Sequence, residues 1–576
     1  MTAPRKAAHP PPLRAAPRRL RGERRAAATV PGPVPTLAER AAGLLLHPTS
    51  LAGPYGNGDL GDAAYRFAEF AAAAGQRWWQ MLPVHPVGEG HSPYNGLSAF
   101  AGAPHLIALE PLAQEGWLRP EELVPPAPHR PARAGPARAG LARGGPPRAG
   151  AARGGAADGA AHLSAGLRFR ESRLRRAFAR YAAAAPARER RRWEAFRAAE
   201  AAWLDDYALF VALKRAHGGV PWTRWPAALR ARSAPALRDT RRALADEIAF
   251  RTFVQYQFHR QWEALRRHCH ALGVGLLGDV PIFVAHDSAD AWAHRELFFM
   301  DRQGRRPIVA GVPPDAFSAS GQRWGNPLYD WARHRATGYA WWKARLQAIL
   351  RRFDAVRLDH FIAFVRYWAI PGGQNTARHG RFRPGPGAHF LSHLQAAFGH
   401  LPLIAEDLGL VTPAVTALRQ AFGLPGMRVL QFAFGDDDPA NPHRVHNHDR
   451  NSVVYTGTHD NETLVGWARG RGQAALKPEA RRALAYLGQD GGGGRAGAEE
   501  VHWALIRMAY LSVANLAVVP VQDVLGLGNE ARMNTPGTPR GNWTWRLAPP
   551  DALTDAHAAR LAALARQYRR AGTARS

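Results

Sequence analysis

Four acidic residues stand just beyond short apolar runs of strand length. Asp279 follows the run 274–277, Asp359 closes 355–358, Glu406 closes 403–405, and Asp460 lies five residues past 453–455. A single acid in such a place is ordinarily a helix cap or half of a loop ion pair. Four at one end of one sheet repel one another, and a fold keeps such repulsion only for a function. Several carboxylates without a metal-ligand cluster suit acetal chemistry. One carboxylic acid protonates the leaving oxygen, and a second carboxylate meets the positive charge that develops at the sugar carbon; in a retaining enzyme it forms a glycosyl ester. Arg357, two residues before Asp359, is expected to keep that aspartate ionised. Neighbouring aspartates are expected to raise Glu406 and keep its proton available.

The elements that must position these acids are legible as a pattern. Eight strand-like runs (43–46, 78–84, 274–277, 355–358, 403–405, 429–434, 453–455 and 516–521) alternate with helical patterns such as 63–74, 340–352 and 413–422. Strands alternating with helices build a parallel sheet, and eight such units predict an α/β fold of the (β/α)₈ barrel type. In that fold the residues at the C-terminal ends of the strands form the active site. The alternation breaks between 111 and 270, where long Ala/Arg/Trp helices are expected over 168–183, 188–215 and 236–272. The expected organisation is therefore a basic disordered extension (1–36), the first part of the barrel (37–110), a mainly helical insert between strands two and three (111–270), and the rest of the barrel (271–576).

Composition narrows the class. The chain has 576 residues and a net charge of +30, but Lys6, Lys214, Lys343 and Lys477 are its only lysines among 76 basic residues. An arginine skew accompanied by abundant Ala, Gly and Pro reflects codon bias, so nucleic acid is not an expected partner. Within the insert, residues 126–166 carry arginine every fifth residue from Arg133 to Arg153. This matches no helix or strand period and reads as flexible, as does the glycine-rich stretch 490–497. One cysteine, Cys269, excludes a disulfide scaffold and suits a reducing compartment. No apolar run is long enough to span a membrane and no secretory signal is visible, so a cytoplasmic location is expected. An arginine-rich, acid-poor leader also suits a transit peptide, although residues 1–36 contain no serine.

The residues then become specific. The stretches LLLHPTSLAGPYGNGDLGD (44–62), WWQMLPVHPVGEGHSPYNGLSAFAGAP (78–104), GDVPIFVAHDSADAW (278–292), VAGVPPDAFSASGQRWGNPLY (309–329), RLDHFIAFVRYWAIP (357–371), AEDLG (405–409), YTGTHDNET (455–463) and QDVLGLGNEARMNTPGTPRGNWTWRL (522–547) run in order along the chain. The chain resembles the amylomaltases, the 4-α-glucanotransferases of glycoside hydrolase family 77, from Leu44 to Leu547 outside the insert and the flexible stretches. The resemblance implies Asp359 as nucleophile, Glu406 as general acid/base and Asp460 as transition-state stabiliser. It implies sugar binding by Arg357, His459, Asp279 and Asp315, a stacking platform at Tyr94, and a groove wall at Trp324. It implies α-1,4-glucans as donor and acceptor and no cofactor or metal. Two departures are visible: Ile362 and Ala363 stand where the family often has Arg-Gly, and Ala369 stands where an acid is common.

Three other motifs fail on physical grounds. Gly526–Ala531 has dinucleotide-fingerprint spacing, but Met533-Asn534-Thr535-Pro536-Gly537 cannot start the helix that fingerprint requires. Asp436, Asp437 and Asp438 lack the alternation and closing Glu of a calcium loop. His268-Cys269-His270 is too tight for tetrahedral zinc. Three functions remain: a glucan transferase, a glucan hydrolase on the same carboxylates, and a basic RNA-binding protein on an inactive barrel. The intact carboxylates count against the third. The stretch 311–324, read as a proline-stiffened loop after strand three, is a candidate lid that would favour transfer over hydrolysis.

Overall fold

A computed structural model of the protein describes residues 34–125, 155–314, 318–470, 475–488, 501–538 and 540–571. Most of the 1–36 leader, most of the arginine repeat, the 490–497 stretch and Asp315 lie outside these residues. Twelve strands occur among them: β1 (Ala41–Leu45), β2 (Trp78–Gln80), β3 (Gly275–Val280), β4 (Ile308–Val312), β5 (Gln322–Pro327), β6 (Ala355–Leu358), β7 (Arg366–Pro371), β8 (Arg381–Pro384), β9 (Leu403–Ala405), β10 (Gly426–Val429), β11 (Ser452–Tyr455) and β12 (Leu516–Pro520). Eight of them form one parallel sheet in the order β10-β11-β12-β1-β2-β3-β6-β9. Its two edges meet where the Ala405 N–H donates to the Pro425 carbonyl at 2.9 Å, which closes a (β/α)₈ barrel.

Side chains alternate across a strand, so each barrel strand divides its residues between the interior and the helical jacket. Ala41, Leu45, Trp78, Leu277, Ala355, Ile404, Met427, Val453 and Leu516 share the interior cluster. Ala42, Leu44, Trp79, Leu276, Val356, Leu403 and Ala517 pack outward. The Trp78 indole enters the barrel because a Cβ at Gly43 would lie 2.8 Å from Trp78 Cβ, and one at Gly275 would lie 2.9 Å from its ring. The same parity sets the next layer: Asp279, Arg357 and Glu406 stand two residues beyond Leu277, Ala355 and Ile404, and Asp359 two further.

The sixth barrel strand lies at Gly426–Val429, not at 429–434. Leu430 and Phe432 fall in a 3₁₀ turn (Leu430–Phe432) beyond it, a case where a short, mostly apolar run does not distinguish strand from turn. A larger correction concerns 311–324. Instead of a loop, β4 and β5 pair antiparallel and join β7 and β8 in a second, four-stranded sheet ordered β5-β4-β7-β8. Pro313 and Pro314 sit between the strands and read locally as loop residues, while Gly311 of β4 also pairs with Trp368 of β7, more than fifty residues away.

Between β2 and β3 run the helices Gly155–Ala184, Ala187–Ala216, Ala234–Ala243 and Ala245–Ala271. The first begins well before position 168, so residues 155–166 are helical where flexibility was expected. Their alanines favour helix, and Leu163, their one large apolar residue, is too little to reveal its period. Pro186 separates the first two helices. Arg170 ties this layer to the barrel loops: its guanidinium donates to Asp59 Oδ2 at 2.7 Å, Asn57 Oδ1 at 3.0 Å and the Ile107 carbonyl at 2.8 Å.

Candidate active site

The acids meet at the C-terminal mouth of the barrel. Backbone bonds continue the ladder beyond the strands and hold the acids in register: Asp359 N–H donates to the Val280 carbonyl at 3.0 Å, and Glu406 N–H to the Leu358 carbonyl at 3.1 Å. Arg357 is buried at the centre. Its Nη1 donates to both oxygens of Asp279 at 2.9 and 2.8 Å, and its Nη2 lies 3.0 Å from Asp359 Oδ1. Tyr94 completes this group, donating its hydroxyl to Asp279 Oδ2 at 2.6 Å while its ring stacks on His459 at 5.1 Å.

Glu406 is positioned by backbone alone. His360 N–H donates to Oε2 at 2.6 Å and Leu408 N–H to Oε1 at 3.0 Å. The first bond exists because His360 adopts the left-handed conformation (φ 52°, ψ 49°), a strained turn for a non-glycine residue. Asp460, on the loop after β11, accepts from Asn534 Nδ2 at 2.6 Å, and its Oδ2 lies 3.4 Å from His459 Nε2. Asp523 clamps both ends of that loop. Buried just beyond β12, it accepts the Thr456 hydroxyl and the Leu464 N–H, each at 2.7 Å.

Trp324 reaches the site from β5 of the second sheet. It is 40 % exposed and meets the His360 ring edge-on at 4.9 Å. The structure thus gathers Asp279, Arg357, Asp359, Glu406, Asp460, His459, Tyr94 and Trp324 at one mouth. Asp315 lies outside the described residues.

The electrostatics raise both carboxyls of the expected nucleophile–acid pair. Burial pushes Asp359 up to about 8; Arg357 pulls it down, but Asp279, Glu406 and Asp460 add to the rise. Arg357 acts in the expected direction, but burial outweighs it. Burial likewise raises Glu406, against Arg357 and the two backbone donors. Its neighbour Asp407 contributes less than burial does. The Asp359–Glu406 pair therefore retains a proton toward neutral pH and titrates as a unit. Burial lowers His360 to about 4 with help from Arg357, and it lowers His459. Burial and Asp279 raise Tyr94 and keep its phenol protonated.

Sequence reasoning passed over His360, Asn534, Trp543 and Asp523. Trp543 tilts against both Tyr94 and His459, at 5.8 and 6.1 Å. Asn534 and Trp543 sit in the long segment after the last strand, where no period indicates which side chains turn inward. Among the described residues no group of three or more His, Cys, Asp or Glu side chains is arranged to hold a metal ion. No helix among them is long and apolar enough to cross a membrane. Gly526–Ala531 leads into a single 3₁₀ turn, without the helix that a dinucleotide site requires. His268 and His270, on one helix, lie against Glu69 and Asp354, with Cys269 buried between them.

A parallel eight-stranded barrel with four carboxylates and a buried arginine at its C-terminal mouth defines a barrel enzyme with a carboxylate-lined cleft. Comparison with known proteins makes the class specific. The profile of the 4-alpha-glucanotransferase family matches residues 46–553, and the chain belongs to that family. It is 48% identical over 530 residues to a 4-alpha-glucanotransferase of Thermus thermophilus, covering 91% of this chain and 98% of the relative. A Synechocystis 4-alpha-glucanotransferase is 42% identical over 522 residues, with 90% and 96% covered. Among solved structures, an amylomaltase from Streptococcus agalactiae in complex with acarbose superposes with a TM-score of 0.81 at 32% identity, covering 92% of this chain and all of that one. The protein is accordingly an enzyme of the glycosyltransferase type.

Proposed function

We propose that the enzyme moves α-1,4-glucan segments from a donor maltooligosaccharide to the 4-hydroxyl of an acceptor glucan or glucose, within maltooligosaccharide, glycogen or starch metabolism. The route is a retaining double displacement. Asp359 attacks the anomeric carbon as the glycosidic C–O bond breaks, and Glu406 gives its proton to the departing 4-oxygen. The acceptor hydroxyl then returns a proton to Glu406 as its oxygen displaces the Asp359 carboxylate. Asp460 and His459 hold sugar hydroxyls, while Arg357 and Asp279 set the charge beneath the reacting ring. Tyr94 and Trp324 offer ring faces to sugars.

The observation that carries this reading is the junction at residues 359–360. Asp359 contacts Arg357, and the very next N–H holds Glu406, so nucleophile and acid are fixed by adjacent atoms of one turn. The pair's retained proton supplies the acid, and Arg357 beside Asp359 favours the state in which that proton rests on Glu406. The single buried thiol, Cys269, suits a cytoplasmic setting.

Transfer and hydrolysis share the first displacement. Transfer prevails where the acceptor is held in place, since effective molarities of positioned groups reach about 10⁵ M or more. Incubation with maltotriose alone decides between them. Transfer yields glucose and a ladder of longer maltooligosaccharides with a constant number of reducing ends and retained configuration. Rising reducing ends without longer products would make the enzyme a hydrolase, and inverted products would exclude the Asp359 ester.

A further inference from the structure

Behind the Tyr94–His459–Trp543 wall lies a cavity of about 20 Å³, lined by His47, Thr49, His91, His105, Trp543 and Arg546 among others. Its lining is basic, and none of the described lining residues is acidic. Arg546 is the one arginine in the lining. Its guanidinium donates to the carbonyls of Trp543 and Trp545 at 3.0 and 2.8 Å, its Nε is buried without a partner, and no ion pair reaches it among the described residues. Arg546 is half-buried, and a cation partly removed from water without a counter-charge attracts an anion. His47 is only 6 % exposed, and its Nδ1 has no hydrogen-bond partner; His91 Nδ1 is likewise unpartnered. Burial, with neighbouring histidines and Arg546, holds His47 well below the ordinary histidine range, and burial with Arg170 and then Arg546 does the same for His105. Both are neutral at pH 7, and each neutral ring still offers one N–H donor.

We propose that this cavity is a binding site for one monatomic anion, of the chloride or bromide type, and that its occupant braces the sugar-binding wall through Arg546 and Trp543. The volume admits one water-sized occupant and excludes sulfate or phosphate. The uncompensated guanidinium favours an anion over water. The link to the wall is direct: the Trp543 carbonyl accepts from Arg546, Trp543 itself holds a left-handed backbone (φ 65°), and its ring touches both Tyr94 and His459.

The test compares the purified full chain in bromide with the same protein in gluconate of equal ionic strength, gluconate being too large for the cavity. Crystals grown in bromide are expected to show one anomalous scatterer between His47, His105 and Arg546. Bromide is expected to raise Tm saturably by roughly 2 °C or more over gluconate and to raise kcat/KM for maltotriose along the same binding curve. Arg546→Gln should abolish both responses. Should that variant not fold, the wild-type bromide density and melting curve decide alone. Water or no density in the cavity, or equal melting in both salts, would overturn the site. A bound bromide without any change in kcat/KM would overturn its link to the wall. Because the anion is read from scattering and melting, failure of the glucan reading would leave this result standing.

Discussion

Two regions of this molecule are built from the same residue types with opposite results. In the helical layer between β2 and β3, Glu171 and Glu247 share Arg175 and Arg251, with Arg215 within 4 Å of both. Glu122 accepts from Arg176 and Arg180. At the barrel mouth, Asp279, Asp359 and Glu406 gather around Arg357, with Asp460 on the adjoining loop. Cations match or outnumber acids in the first region. There Arg180 leads in lowering Glu122, and Arg175 with Arg251 outweighs the burial of Glu247. In the second region acids outnumber cations, and both Asp359 and Glu406 are raised. Burial raises the carboxyls in both places; the arginines overcome it in the helical layer and do not at the mouth, where burial is the largest contribution.

Substitutions can break or sharpen that contrast. The largest effect is expected for Asp359→Asn, with kcat lower by on the order of 10⁴-fold and maltotriose binding retained by calorimetry. A loss under about tenfold would place the nucleophile elsewhere. Glu406→Gln comes next, with a loss of roughly 10²–10⁴-fold on natural glucans. In the wild type one proton must leave the pair and the other must stay. Activity therefore rises with pH as the first is lost and falls as the second goes. Both limbs lie above the ordinary carboxylate range, because both groups are raised. The falling limb should vanish in Glu406→Gln, and its persistence would remove Glu406 from the acid role.

A third test uses an acid with no cation at all. Burial raises Asp523 to about 7, against its bonds to Leu464 and Thr456. In the fold its carboxyl stays protonated while the unfolded chain ionises above about pH 4. Wild-type stability should therefore fall as pH rises from about 4 to 7 and level off beyond, by up to about 4 kcal/mol. In Asp523→Asn that part of the slope should disappear, measured as denaturant midpoints at pH 5 and pH 8. The smallest effect is expected for Glu122→Gln in the helical layer. Its arginine partners are substantially exposed, so stability should fall by only about 1 kcal/mol, with maltotriose disproportionation unchanged.

The sequence by itself determined the barrel and the identity of its acids. Strand residues alternate with a period of two, and the runs at 355–358 and 403–405 coincide with β6 and β9, so the residues that follow them had to emerge at one mouth. Only the tertiary structure decided the rest. The second sheet depends on β4 meeting β7 across more than fifty residues, a pairing that no local pattern encodes. Asn534, Trp543 and Asp523 reach the site from the segment following the eighth barrel strand, whose course follows from packing. The rise of Asp359 was not legible from Arg357 alone, because a carboxyl responds to every charge and to the water removed around it. Neighbours in sequence reveal one of those charges, and the fold supplies the others.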